Sequence, residues 1–274
     1  MRALTVAVAT LALSVATPSI AAEPGETPPR QSWSFSGPFG TYDRAQLQRG
    51  FKVYREVCAT CHSIGLLAFR NLAQPGGPGF TRAQAEVIAS EYQVKDGPND
   101  QGEMFERPGQ LHDRFPSPFE NEQQARSIHG GAYPPDLSVI AKARGYEVGV
   151  VGGAIDLVTQ YQEYGVDYLH ALLTGYGEAP ARVKVEPPQN WNRYYPGNRI
   201  AMAPPLKDGQ VEYGDGSPQT VAQYSRDVSA FLMWAAEPHL ESRKRIGFQV
   251  ILFLLVFAGL MYFTKKKVWS QAHA

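Results

Sequence analysis

Two cysteines separated by two residues, and followed directly by a histidine, stand at Cys58, Cys61 and His62. Thiols at this spacing can form two thioether bonds to a haem, and the adjacent imidazole can bind the haem iron from one face. The 274-residue chain has no other cysteine. The pattern therefore predicts one covalently attached haem c, with His62 as an axial ligand of the iron.

Two other kinds of site also use closely spaced cysteines. A thiol–disulfide active site needs a thiolate of low pKa, usually at the start of a helix after a strand, and requires no histidine after the second cysteine. A zinc site needs two further ligands at suitable spacing, and the chain has no third cysteine. Attachment of haem is the favoured interpretation.

The second axial ligand of the iron must come from another part of the chain. Met202 lies in a loop stiffened by two following prolines, and a thioether opposite His62 gives low-spin iron with a raised potential. Met233 falls in an apolar stretch of helical pattern, where methionine usually fills the core. On the residues alone, other candidates remain open: His112, His129, His170, His239 and Met104.

Helices must position these groups. Asp43 can cap a first helix, in which Leu47, Phe51 and Tyr54 recur at the spacing of one apolar stripe, so that Cys58 and Cys61 fall at its end. Apolar residues at the same spacing predict a second helix over 220–237. A chain with 26 glycines and 21 prolines is expected to connect such helices by long loops.

The chain ends predict export and anchoring. Residues 1–22 have the basic start, apolar run and small-residue exit of a signal peptide, and the run is too short for a membrane helix. Residues 246–263 are apolar except for Gln249 and would span roughly 27 Å as a helix. A buried soluble helix is the alternative, which the basic triplets on both sides disfavour. We expect a periplasmic haem domain over 23–241, a transmembrane anchor over 242–264 and a cytoplasmic tail over 265–274.

If residues 23–241, here called the body, are exported, their net charge affects which partners they attract. Seven of the 26 basic residues lie outside 23–241, whereas all 26 acidic residues lie inside, so the body has 19 bases and a net charge of −7. Nine of those acids lie within 86–122. Such a field favours encounter with a basic protein and disfavours nucleic acid. The alternative is that this segment is only a solvated loop.

Several segments together resemble the cytochrome c1 family, in its bacterial form. The resemblance extends over residues 33–269 and rests on these segments in order: GFKVYREVCATCHSI (50–64), GGAYPPDLS (130–138), AKARG (141–145), DYLHALLTGY (167–176), YYPGNRIAMAPPL (194–206) and DVSAFLMWAAEP (227–238). Members of the family are the haem subunits of ubiquinol–cytochrome c oxidoreductase, the cytochrome bc1 complex.

The resemblance implies specific roles. Cys58 and Cys61 match the thioether cysteines, His62 the proximal ligand and Met202 the distal ligand. A propionate of the haem would pair with Arg144. The alternative is that Arg144 is only a surface arginine on a helix. Contacts with the haem pocket are implied for Pro134, Pro135, Tyr194 and Tyr195.

The chain departs from many relatives at two points. Asparagines precede the Pro-Pro turn in those relatives, where this chain has His129 and Gly130, and His129 is the rival axial ligand to be tested. Some bacterial relatives also have a disulfide that steadies the methionine loop. Because both cysteines here are used by haem, we expect packing and prolines alone to hold the Met202 loop.

The resemblance implies a mostly α, class I cytochrome c-like domain with long loops and one C-terminal transmembrane helix. Phe231 and Trp234 of the second helix are expected to meet Gly50, Phe51 and Tyr54 of the first, although Trp234 could instead mark the membrane surface.

The implied function is one-electron transfer from a Rieske iron–sulfur protein to soluble cytochrome c, with no bond made or broken on this chain. Cytochrome b, the Rieske subunit and membrane lipid are the expected partners, in a dimeric complex of the bacterial inner membrane. Alternatives are an anchored cytochrome that feeds a terminal oxidase, and a haem peroxidase or gas sensor.

Overall fold

The computed structural model describes residues 25–181 and 183–272, and its secondary structure is mostly α-helical. The predicted signal peptide lies outside these residues. The helices are α1 (Arg44–Glu56), α2 (Arg82–Ser90), α3 (Glu122–Ile128), α4 (Ile140–Ala143), α5 (Val150–Thr159), α6 (Tyr164–Thr174), α7 (Val221–Ala236) and α8 (Leu240–Ala272). Two short antiparallel pairs join β1 (Gln93–Asp96) to β2 (Phe105–Pro108), and β3 (Asn190–Trp191) to β4 (Arg199–Ile200).

The centre of the fold is the crossing of α1 and α7. Asp43 caps α1 by accepting a hydrogen bond from the Gln46 N–H at 3.2 Å, as its position in the sequence predicts. At Gly50 the two backbones touch, since a Cβ there would lie 2.1 Å from the carbonyl oxygen of Asp227. The Phe231 ring lies 5.6 Å from that of Phe51, which confirms the predicted crossing.

Two other residues of α7 also have clear positions. Trp234 is 1% exposed and its ring lies 5.5 Å from that of Phe231, so the alternative that it marks the membrane surface is wrong. Met233 is 2% exposed, which confirms the prediction that it fills the core.

Replacing Gly50 by alanine should destabilise the fold by about 1–3 kcal/mol, because the new methyl group meets backbone that cannot rotate away. Gly153→Ala on α5 is the matched control, since no atom lies within 4 Å of a Cβ there and alanine favours helix by up to ~1 kcal/mol. Urea unfolding of both variants in detergent measures the difference. Equal stability of the two variants would contradict the close approach.

The C-terminal helix α8 has 33 residues and is roughly 50 Å long. Its span from Leu240 to Ser270 has a mean hydropathy of 2.3 over its most apolar window, none of which is buried, so it is long and apolar enough to cross a membrane. The helix continues without a break through the lysine triplet at 265–267. The predicted end of the anchor at residue 264 is therefore not marked by a change in backbone.

Candidate functional site

The Cys-Ala-Thr-Cys-His segment forms a tight turn directly after α1. Residues Cys58–Thr60 make one 3-10 turn, and the N–H groups of Cys61 and His62 both donate to the Cys58 carbonyl, at 3.1 and 2.9 Å. Both thiols are free and half-buried. The turn thus holds two unpaired thiols and an imidazole within five residues of one compact segment.

The Cys58 thiol is not set up for thiol–disulfide exchange. Burial, with a smaller contribution from Cys61, raises the pKa of Cys58 to about 12. A redox-active cysteine needs a thiolate at neutral pH and hence a lowered pKa. The environment of Cys58 therefore disfavours the thiol–disulfide alternative.

The His62 ring is held in the orientation that a metal ligand needs. Its Nδ1 lies 2.8 Å from the carbonyl oxygen of Pro135. Because a carbonyl can only accept, Nδ1 carries the hydrogen and Nε2 keeps its lone pair for a metal. Burial also lowers the pKa of His62, which favours the neutral ring. This site therefore fits a haem iron bound through Nε2.

The segment that supplies this carbonyl is fastened to the residues after His62. Asp136 accepts hydrogen bonds from the Ser63 hydroxyl at 2.6 Å and from the Gly65 N–H at 2.8 Å. The Ser138 hydroxyl accepts from the Leu66 N–H at 3.0 Å. Asp136 and Ser138 were not predicted as functional residues. A Pro-Pro pair followed by Asp and, two residues later, by Ser is nevertheless typical of a turn in which side chains bond to the backbone.

Asp136 stays ionised in this arrangement. Its burial acts to raise the pKa, but hydrogen bonds from Ser138, Ser63 and the Gly65 N–H outweigh that effect and hold the Asp136 pKa below its usual value. A carboxylate with several donors is a rigid connection, so Pro135 is held against His62. Of the predicted pocket prolines, Pro134 is half-buried and Pro135 is exposed except for this contact.

The Met202 loop has more support than the sequence predicts. Met202 is half-buried against the same core cluster that borders Cys58. The Met202 carbonyl accepts a hydrogen bond from the Tyr176 hydroxyl at 3.1 Å and a longer one from the Asn190 side chain at 3.4 Å. The expectation that packing and prolines alone hold this loop is therefore wrong.

Tyr194 and Tyr195 are positioned by a buried asparagine. The Asn192 side-chain oxygen accepts from the N–H groups of Tyr194 and Tyr195, at 3.0 and 3.3 Å, and its nitrogen donates to the Leu172 carbonyl at 2.7 Å. These bonds attach the tyrosine pair to α6. The Tyr195 ring packs on the core cluster that also contacts Met202 and Cys58.

Arg144 ends α4 and is exposed. Among the residues that the structure describes, its side chain forms no ion pair. Arg144 lines a cleft of about 370 Å³ between α4 and the start of α6. Burial raises the pKa of Tyr168. Tyr195 raises this pKa further, whereas the positive charge of Arg144 lowers it. The guanidinium is thus available to an anion, but no described contact joins it to Cys58 or His62.

His129 keeps an unpaired nitrogen. Within the described part of the chain, its buried Nε2 atom has no hydrogen-bond partner, and its ring lies edge-on to Phe119 at 5.3 Å. The charge of a protonated His129 would lower the pKa of His62, so the two rings are within electrostatic range. His129 therefore stays the rival ligand to Met202.

The other candidate ligands are engaged or located elsewhere. The His170 ring lies 2.9 Å from the Ser225 hydroxyl. Met104 is exposed beside the hairpin of β1 and β2, and His112 lies next to Asp113. His239 is exposed at the junction of α7 and α8.

Comparison with known proteins adds independent findings. A family model described as the Cytochrome C1 family matches residues 33–272. Cytochrome c1 of Blastochloris viridis is 51% identical over 259 residues, which is 94% of this chain and 92% of that protein. Cytochrome c1 1, a mitochondrial heme protein of Arabidopsis thaliana, is 45% identical over 251 residues, which is 91% of this chain and 74% of that protein.

A longer relative matches as well. A protein of Bradyrhizobium diazoefficiens named cytochrome b/c1 is 59% identical over 252 residues. The match covers 92% of this chain but only 37% of that protein. The chain therefore spans little more than a third of the length of that relative.

Proposed function

The chain belongs to the cytochrome c1 family, and on this premise we propose that it carries electrons through one haem from a Rieske iron–sulfur protein to a soluble cytochrome c. The observation that carries the proposal is the hydrogen bond between His62 Nδ1 and the Pro135 carbonyl, beside two unpaired thiols. It leaves Nε2 of a neutral imidazole as the only free electron pair of that ring.

The chain's own residues would divide the work of holding the haem. Cys58 and Cys61 would bind it covalently, and His62 and Met202 would be its axial ligands, while Arg144 offers an unpaired guanidinium to a propionate. When bound, the haem supplies the one-electron couple of its iron. If both axial positions are occupied by protein, no open position is left for oxygen or peroxide, which disfavours a peroxidase or gas sensor.

The proposal includes an arrangement in the membrane. We propose that residues 1–22 direct export, that the haem domain over 23–241 lies in the periplasm, and that α8 crosses the bacterial inner membrane once and leaves a short cytoplasmic tail. The support is the exposed apolar surface of α8 and the name cytochrome b/c1 of one relative. Cytochrome b and the Rieske protein are thus the proposed partners, in a dimeric bc1 complex.

The acidic segment 86–122 suggests which part of the surface would bind a soluble partner. Residues 86–122 contain the second half of α2 and the β1–β2 hairpin, so the segment is not one solvated loop. Six of its nine acids form ion pairs with neighbouring bases, among them Asp113 with Arg107 and Glu120 with Lys95. Within the described residues, Asp100, Glu103 and Glu106 form none and are exposed. These three carboxylates are the proposed source of attraction for a basic cytochrome c.

The rate of electron transfer to a basic soluble cytochrome c tests this proposal. In membranes that contain the full chain, the second-order rate constant should fall at least about tenfold between ~10 mM and ~500 mM salt, because screening shortens the range of the field. Replacing Asp100, Glu103 and Glu106 by their amides should lower the low-salt rate and flatten the salt response.

The control removes the same kind of charge elsewhere. Glu147→Gln with Glu212→Gln changes two exposed acids outside the segment, and the salt response should stay steep. A wild-type rate constant that does not change with salt would contradict the proposed docking of a basic partner. Stopped-flow absorbance of the two haems gives both rates.

A further inference from the structure

The short helix α5 buries its charged side chain and exposes its apolar ones, which is the reverse of a surface helix in a soluble protein. Its one charged residue, Asp156, is 3% exposed and pairs with both terminal nitrogens of Arg30, at 2.7 and 2.6 Å. Apolar side chains cover its outer surface instead. Those exposed by more than half are Val150, Val151, Ile155, Leu157 and Val158. A soluble helix normally buries its apolar stripe, so this exposed stripe marks a binding surface.

The end of α5 lies beside the start of the membrane anchor. Gln160, which follows α5, and Gln162 line one small cleft together with Arg243 and Lys244 of α8. These two bases and Arg245 directly precede the apolar stretch that begins at Ile246. The apolar surface of α5 therefore starts close to the level at which α8 would enter the lipid.

A second apolar side chain marks the same level. The ring of Phe39 is 73% exposed and its centroid lies 5.6 Å from that of Phe248 on α8. Phe248 is two residues past Ile246, which is roughly 3 Å further along the helix axis. Phe39 thus reaches past the first apolar residue of the anchor, at the depth where bilayers favour aromatic rings.

Hydrogen bonds and an ion pair fix the position of residues 35–44 relative to the start of α8. Lys244 donates to the carbonyl of Phe35, and Arg44 forms a two-bonded ion pair with Glu241, at 2.9 and 2.7 Å. The Tyr42 N–H donates to Glu241 at 2.9 Å. The haem domain is therefore attached to α8 by several bonds rather than by a loose linker.

We propose that α5 and Phe39 form a second membrane contact, in which the apolar stripe of α5 lies in the headgroup–acyl boundary of the lipid bilayer. Val151, Ile155 and Val158 are spaced at i, i+4 and i+7 and supply that stripe. Lipid fits better than a protein groove for two reasons. The end of α5 and the two residues before Phe39 line one cleft with the start of α8, and α5 offers no exposed charge that could fix a protein partner in register. With this contact the haem domain has a fixed orientation on the membrane, whatever its electron-transfer partners.

Photo-cross-linking from lipid tests this contact. The full chain in its native membrane is labelled with a phosphatidylcholine that carries a photoactivatable group near the start of its acyl chain, and labelled peptides are mapped by mass spectrometry. Label is expected on residues 150–158 and on Phe39 as well as on α8. The exposed Val87 of α2 and Ile128 of α3, which are equally apolar, are the internal controls and should stay unlabelled.

A paired substitution sharpens the result. Val151→Asp with Val158→Asp places two charges in the stripe and should lower labelling of residues 150–158 at least about tenfold, since that fold-change needs only ~1.4 kcal/mol. Labelling of α8 should not change. Val87→Asp is the matched control and should alter nothing. Label confined to α8 in the wild type, or cross-links from α5 to another polypeptide, would overturn the proposal.

Discussion

Replacing Met202 by leucine is expected to convert the haem iron from low-spin to high-spin and to lower its reduction potential by a large part of the ~0.8 V range that axial ligands set. Leucine conserves volume and apolar character but has no sulfur, so it removes the ligand without opening a large cavity. The visible and near-infrared spectra and a redox titration of the full chain in detergent measure the effect.

Met233→Leu is the matched control for Met202. The same chemical change is made at a methionine that is buried in α7, and the spectrum and potential should stay those of the wild type. An unchanged spectrum in Met202→Leu would remove Met202 from the site. His129→Leu would then be the decisive variant, because a nitrogen of His129 has no hydrogen-bond partner among the described residues and the ring lies within electrostatic range of His62.

The second large effect is expected at Asp227, where alanine should cost about 3–5 kcal/mol of folding free energy. Asp227 is fully buried in α7 and accepts from Arg49 at 2.9 Å and from the side chains of Gln46 and Gln223, at 3.1 and 2.9 Å. Removing it leaves two amides without this acceptor at the α1–α7 crossing, and leaves Arg49 with only the more exposed Asp215 as an ion-pair partner. Urea unfolding of the full chain in detergent measures the loss.

Asp215→Ala gives the comparison within the same network. Asp215 pairs with the other side of the Arg49 guanidinium at 2.7 Å but is 44% exposed. Water replaces most of that interaction, so the expected loss of stability is much smaller than in Asp227→Ala. Similar losses in both variants would mean that burial does not decide the strength of this network.

The sequence was most informative where the deciding interaction is local. The Cys58, Cys61 and His62 spacing is a covalent pattern within five residues, and helix periodicity places Phe51 and Phe231 on apolar stripes without reference to the rest of the chain. The length and composition of α8 follow in the same way from counting residues. The crossing of α1 and α7, the anchor helix and the candidate haem-attachment segment were therefore predictable.

Other features depended on residues far apart in the chain. The Pro135 carbonyl lies 73 positions from His62, and Tyr176 is 26 positions from the Met202 carbonyl that it supports. No local pattern states which backbone oxygen a side chain will meet, because hydrogen bonds over such separations are set by how the loops return to the core. The same holds for the acids of 86–122, where pairing with Arg107 and Lys95 decides which carboxylates remain for a partner.

By itself, the sequence predicted a haem at Cys58 and Cys61 with one axial nitrogen from His62, and it determined that the chain has a membrane-length apolar helix. Only the tertiary structure decided how His62 is oriented, what holds the Met202 loop, and that α5 turns Asp156 inward and its valines outward. The physical reason is that bonding capacity and helix periodicity are encoded along the chain. The partner of each buried polar group is chosen only when distant segments pack together.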